Sequence, residues 1–160
     1  MATRRKPWPT RAAEEYKLLV EQSRLLSRML KLCIEKGIGG GRNIPLLKRL
    51  LPLVAAESRN IQMVCQKVQN ARRGRGRWPN WAAQALEDIA VLAEKAEKTG
   101  GMAHNALEKN NWPLMERMVR MCLKAAQDIE GTLLEGPPPE DIPLALCEAA
   151  EVAEQAFLED

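Results

Sequence analysis

Residues 10–36 read TRAAEEYKLLVEQSRLLSRMLKLCIEK, and the spacing of apolar residues in this stretch decides the fold class. Ala12, Tyr16, Leu19, Leu26, Leu30 and Cys33 recur at three, four or seven residues, with Leu18, Leu25, Met29 and Leu32 beside them. That is the period of an α-helix and not of a strand, whose apolar residues alternate. The apolar face is wide, as expected for a helix with more than one packing neighbour. Gly37-Ile38-Gly39-Gly40-Gly41 is predicted to stop this first helix and to act as a flexible connector.

The same period continues through most of the chain. A second helical stretch opens at Asn43, a suitable N-cap, and runs to about Ala71 with Leu47, Leu50, Val54, Ile61, Val64, Cys65 and Val68 inward. Pro52 lies inside it, so a kink or a split is expected there. Arg72-Arg73-Gly74-Arg75-Gly76-Arg77 reads as a loop. Trp78-Pro79 opens a third helix with Trp81, Ala85, Leu86, Ile89, Leu92, Ala93 and Ala96 on its buried side. Gly100-Gly101 is predicted to end or break it, leaving Met102–Lys109 as a separate short helix. Trp112-Pro113 opens the fourth long helix, with Met115, Met118, Cys122, Ala125, Ile129 and Leu133 inward. Gly136 and three prolines come next, and a last helix from about Pro143 carries Leu146, Cys147, Ala150, Ala153 and Phe157. Proline suits these starts because the first turn of a helix has no internal partners for its N–H groups.

These elements predict an all-α fold, an antiparallel bundle of four to five principal helices with the second kinked or split at Pro52. The 160 residues are read as a single domain, with residues 1–9 as a flexible basic arm. The core is aliphatic: apolar residues make up 46% of the chain, but there are only one Phe, one Tyr and four Trp. No apolar run approaches the length needed to span a bilayer. No hydrophobic signal core follows the basic start, so a cytoplasmic protein is expected.

Charge is divided sharply along the chain. Residues 1–77 hold 18 basic and five acidic residues, whereas residues 78–160 hold six basic and 16 acidic ones. From Gly136 onward there are seven acids and no base. Such a split admits three explanations. Basic helices can lie beside acidic ones within the bundle. Opposite patches can build a homo-oligomer or an interface with a protein partner. The basic half can also contact nucleic acid. Arg72, Arg73, Arg75 and Arg77 have the chemistry to hold phosphates, because guanidinium groups bond them in pairs and glycine lets the backbone approach closely. Trp78 and Trp81 stand beside them and could stack on unpaired bases. Lys48, Arg49, Arg59 and Lys67 extend the basic track along the second helix.

Nothing in the sequence assembles a catalytic site or calls for a cofactor. His104 is the only histidine and has no nucleophile nearby in sequence. Gly37–Gly41 lacks the Gly-Lys-Ser/Thr ending of a phosphate-binding loop. Cys33, Cys65, Cys122 and Cys147 lie singly on apolar helical stretches, where they read as small hydrophobes rather than metal ligands. Met115, Met118 and Cys122 likewise have the spacing of a packed face. The string Trp112-Pro113-Leu114-Met115-Glu116-Arg117-Met118 resembles a segment in the small helical subunits of Cascade-type CRISPR surveillance complexes. The resemblance covers seven residues and assigns no site; it implies an all-α subunit that binds nucleic acid through basic surfaces. The expectation is a non-catalytic helical bundle that contacts nucleic acid through its basic half and the Arg72–Arg77 loop. The alternative is a protein-interaction or self-assembling bundle built on complementary charge.

Overall fold

The computed structural model describes residues 13–39, 41–72 and 80–134, and among them there is no strand. Helix α1 spans Ala13–Leu32 and widens into a π-helical turn over Cys33–Ile38. Helix α2 spans Ile44–Arg72, α3 spans Asn80–Glu108 and α4 spans Trp112–Leu134. Each packs on the next, most extensively α2 on α3 and α3 on α4, and α1 packs on both α2 and α4. Helices α1 and α4 run antiparallel. Tyr16 near the start of α1 donates from its hydroxyl to the carbonyl of Leu133 at the end of α4 (3.2 Å), and Arg24 farther along α1 pairs with the earlier Glu130.

The helical period read from the sequence identifies most of the core, although Leu18, placed beside the apolar stripe of the first helix, is exposed. Tyr16, Leu19, Leu26, Leu30 and Cys33 of the first stretch are buried, as are all six inward residues expected on α4. Trp81, Val64 and Leu92 pack on this core while keeping part of their surface in water. Three buried hydroxyls fold back onto carbonyls of their own helices: Ser23 on Val20, Ser58 on Val54 and Thr99 on Lys95. Each of these hydroxyls thereby finds an acceptor within the apolar seam and needs no water there.

Two expectations are corrected. Gly100-Gly101 does not end a helix; α3 continues through it to Glu108, and Met102–Lys109 is not a separate element. Glycine in mid-helix costs about 1 kcal/mol relative to alanine, and here Gly100 serves close packing. A Cβ on it would sit 3.2 Å from Val54 Cγ1 on α2 and 3.9 Å from Cys122 Sγ on α4. The first helix also does not stop at Gly37. The π-helical turn includes this glycine, which is buried, and a Cβ there would lie 2.5 Å from Leu47 Cδ2. Pro52 lies inside α2 without ending it. It is exposed, so the Lys48 carbonyl, which loses its usual N–H partner, faces water. The expected N-terminal arm, the loop at 73–79 and the last helix from Pro143 fall outside the described residues.

Helices α2 and α4 begin in the same way. Asn43 and Asn111 each accept from the N–H three residues on, those of Leu46 and Leu114, both at 3.3 Å. Each Asn is followed by a residue, proline and leucine, and each is preceded by a residue with positive φ, Arg42 at 60° and Asn110 at 56°. The left-handed residue turns the chain, the Asn caps the helix, and proline occupies a first-turn position that needs no N–H donor.

The packing at Gly100 has a direct test. Gly100→Val should lower stability by about 1–3 kcal/mol through overpacking. Gly101→Ala, with nothing within 4 Å of the added Cβ, should raise it by about 0.5–1 kcal/mol through helix propensity. Thermal denaturation followed by far-UV circular dichroism reads both, and equal effects at the two positions would contradict this packing.

Candidate nucleic-acid interface

The exposed face of α2 collects four of the ten residues singled out in the sequence. Successive residues turn by about 100°, so Lys48 and Arg59 fall on one edge of that face and Arg49 and Lys67 on the other. Pro52, Ala56 and Met63 form the line between them, and all seven residues are exposed. From Lys48 to Lys67 the track covers about 28 Å at 1.5 Å per residue. It is a basic face with an apolar midline: Met63 is 64% exposed and Leu53, at its border, 42%.

No carboxylate of α2 interrupts this face. Glu57, the one acid between Arg42 and Arg77, sits at the helix flank and is half-buried. Burial pushes its carboxyl above the ordinary value, while a hydrogen bond with Asn60 acts in the opposite direction. Acid approaches from α3, where Glu97 Oε2 lies 3.5 Å from Arg59 Nε and accepts from Gln62 Nε2 at 3.1 Å. Gln62 Nε2 also donates to the Ala93 carbonyl at 3.4 Å, tying α2 to α3 beneath the basic face. The Arg59 side chain is 63% exposed, and a pair of this kind contributes about 0–1 kcal/mol.

The remaining predicted residues are placed differently. Arg72 ends α2, and its side chain together with Arg73, Arg75, Arg77 and Trp78 lies outside the described residues. Trp81, in the first turn of α3, is partly buried against the core cluster. The sequence reading missed Arg42, whose guanidinium lies 5.0 Å from the centre of the Trp112 ring. This contact joins the N-terminal ends of α2 and α4. Cation and indole are 70 residues apart in sequence, and only the shared Asn-x-Pro-Leu starts hint that these two ends belong together.

On α3 and α4 several basic residues pair with acids of their own helix. On the outward side of α4, an open depression is lined by Pro113, Glu116, Arg117, Arg120, Met121 and Lys124. Arg120 pairs with Glu116 at 3.1 Å and Lys124 with Asp128 at 3.6 Å. On α3, Lys98 pairs with Glu94 at 3.2 Å. The string Trp112–Met118 forms the first turns of α4, where Met115 and Met118 are buried and Trp112 packs against the core. These three residues of the string serve packing.

The other chemically suggestive residues have structural surroundings. His104 Nε2 is 3.8 Å from Glu108 Oε1, one turn along α3. Among the described residues, no group of three or more His, Cys, Asp or Glu is placed to hold a metal ion. Cys33, Cys65 and Cys122 are buried free thiols. Burial pushes the first two up to about 12 and the third to about 11, from an ordinary value of 9.0. The Cys122 thiol also donates to the Ala96 carbonyl at 3.2 Å. Among the described residues, no helix is long and apolar enough to cross a membrane. No family model, curated protein or solved structure matches the chain.

Burial of the thiols predicts slow alkylation, because the thiolate is the nucleophile. In native protein at pH 9, iodoacetamide should leave Cys33, Cys65 and Cys122 unmodified while the unfolded chain is labelled fully, as read by peptide mass spectrometry. Their raised folded pKa values also fix a sign. The stabilisation from keeping them protonated is complete below pH 9 and is lost as pH rises through about 11 to 12. Equal labelling of native and unfolded protein would contradict this burial.

Proposed function

We propose that the protein is a non-catalytic, cytoplasmic helical-bundle binding protein that contacts nucleic acid through the basic face of α2 and the Arg72–Arg77 segment that continues it. The observation that carries this reading is the grouping of Lys48, Arg49, Arg59 and Lys67 on one exposed helix face that bears no carboxylate of its own. A line of cations on a rigid helix suits a phosphate backbone, where neutralisation releases condensed counterions. Pro52, Ala56 and Met63 between the two edges offer apolar surface to sugars and base faces. Arginines at 72, 73, 75 and 77 come next in the sequence.

A second reading draws on the same face. Exposed Leu53 and Met63 beside cations also fit an amphipathic, acidic helix of a protein partner or of another copy of the chain. The two readings separate by what binds and by how binding responds to salt.

Fluorescence anisotropy with labelled single- and double-stranded DNA and RNA, at low and moderate salt, tests the first reading. Affinity should fall steeply with salt for the wild-type chain. In the Lys48→Ser/Lys67→Ser variant the slope of log K against log salt should shrink by about one to two, with about 0.7–0.9 lost per phosphate contact. Helicity should be unchanged, since both side chains are exposed. Absence of binding at low salt would overturn the nucleic-acid reading. Mass measurements showing a dimer that the same variant dissociates would establish the second.

A further inference from the structure

Helices α2 and α4 follow one pattern well beyond their shared starts. Asn43-Ile44-Pro45-Leu46-Leu47-Lys48-Arg49-Leu50 and Asn111-Trp112-Pro113-Leu114-Met115-Glu116-Arg117-Met118 lie 68 residues apart. They agree at Asn, Pro, Leu and Arg, and Met replaces Leu at two further positions. The same shift holds past the motif. From 47 to 65 every buried residue of α2 has a buried counterpart in α4, and from 49 to 63 every exposed residue has an exposed one. Val54 and Cys122 correspond under this shift, and both border the space at Gly100 of α3. Both helices also pack on α1. The outward faces of α2 and α4 are therefore counterparts, turned away from the same core.

Equivalent in position, the two faces differ in charge. Residues 43–60 expose Lys48, Arg49 and Arg59, and the matching residues 111–128 expose Arg117, Arg120 and Lys124. The number of cations is the same. Each helix also has one half-buried acid at its flank, Glu57 on α2 and Glu130 on α4. What separates the faces is two further acids: α4 has Glu116 where α2 has Lys48, and Asp128 where α2 has Asn60. Each lies one turn from a cation of the face, Glu116 Oε1 at 3.1 Å from Arg120 Nη2 and Asp128 Oδ1 at 3.6 Å from Lys124 Nζ. Exposed pairs of this kind are weak, about 0–1 kcal/mol, so they do not lock the cations away. The carboxylates act through their sign. Binding of a phosphate backbone draws on cations that neutralise it, and a carboxylate inside the track sets a like charge against the ligand.

We propose that Glu116 and Asp128 determine which face binds: α4 carries the counterpart of the basic face of α2, and these two carboxylates keep nucleic acid off it. This rests on the nucleic-acid reading of α2. One chain then takes one nucleic-acid segment and does not bridge two.

Three full-length chains test it. Glu116→Lys/Asp128→Asn gives α4 the residues that α2 has at these positions, and Glu87→Lys/Asp88→Asn makes the same change in charge on the exposed surface of α3. Each is compared with wild type in excess DNA and RNA oligonucleotides of about ten nucleotides, single- and double-stranded, at low salt. Sedimentation equilibrium reads the stoichiometry and backbone amide shifts locate the sites. Wild type and the α3 variant should take one oligonucleotide per chain, with shifts on residues 48–72. The α4 variant should take two, with a second set of shifts on residues 113–128. One oligonucleotide on the α4 variant, its shifts still confined to α2, would overturn the proposal and leave the reading of α2 standing. Two on wild type, or two on the α3 variant, would overturn it as well, because Glu116 and Asp128 would then not be what selects the face. No binding by wild type would overturn both. The Glu116 and Asp128 side chains are 41% and 47% exposed, so the fold should persist, with far-UV circular dichroism unchanged.

Discussion

The close approach of three helices at Gly100 governs how the remainder of the bundle is packed. With hydrogen in place of a side chain, α3 comes near Val54 of α2 and Cys122 of α4 at one level. The seam on either side must then be lined by small residues. Ala93, Ala96 and Ala103 on α3 and Ala125 and Ala126 on α4 are all buried. The bulky aliphatics are concentrated elsewhere: Leu19, Leu26 and Leu30 on α1 and Leu47, Leu50 and Leu51 on α2 fill the wider space. Alanine and glycine bury little area per residue, but they let backbones approach, and dispersion attraction across the dense seam offsets the smaller buried area.

That seam also determines which face of α2 reaches solvent. Val54 is held against Gly100, Gln62 bonds to the Ala93 carbonyl and Ser58 bonds within its own helix, so α2 is fixed in rotation about its axis. The opposite side, with Lys48, Arg49, Arg59 and Lys67, is turned outward as a unit. The charge split of the sequence takes on a finer form here. Within the described residues, α2 carries five basic residues against Glu57, and α3 carries five acids against two lysines. They are neighbours, yet their outward faces differ in sign. They meet at one edge, where Glu97 lies 3.5 Å from Arg59, and an exposed pair of this kind offsets little of the basic charge. Compensation inside the bundle and a basic binding face are therefore compatible.

Much of this was legible in the sequence because burial follows a helical period. All six inward residues expected on α4 are buried, and Asn43 caps α2 as its position before Ile44-Pro45 implied. Glycine was misread at Gly37 and Gly100, since a glycine needed for close packing looks the same in sequence as one that ends a helix. What distinguishes them is the residue on the facing helix, Leu47 or Val54, and that is tertiary information. The candidate site divides in the same way. Spacing alone placed Lys48, Arg49, Arg59 and Lys67 along one helix. The proximity of Glu97 to Arg59, and of Arg42 to Trp112, depends on how helices are set against one another.

Nucleic-acid binding is proposed for the outward face of α2 and not for that of α4, where Arg120 pairs with Glu116 and Lys124 with Asp128. Backbone amide chemical-shift mapping during titration with a short oligonucleotide discriminates between these surfaces residue by residue. Perturbations should concentrate on residues 48–72, with α3 residues 84–98 and α4 residues 113–124 little changed. Perturbations centred on Arg117, Arg120 and Lys124, or none at low salt, would contradict the assignment to α2.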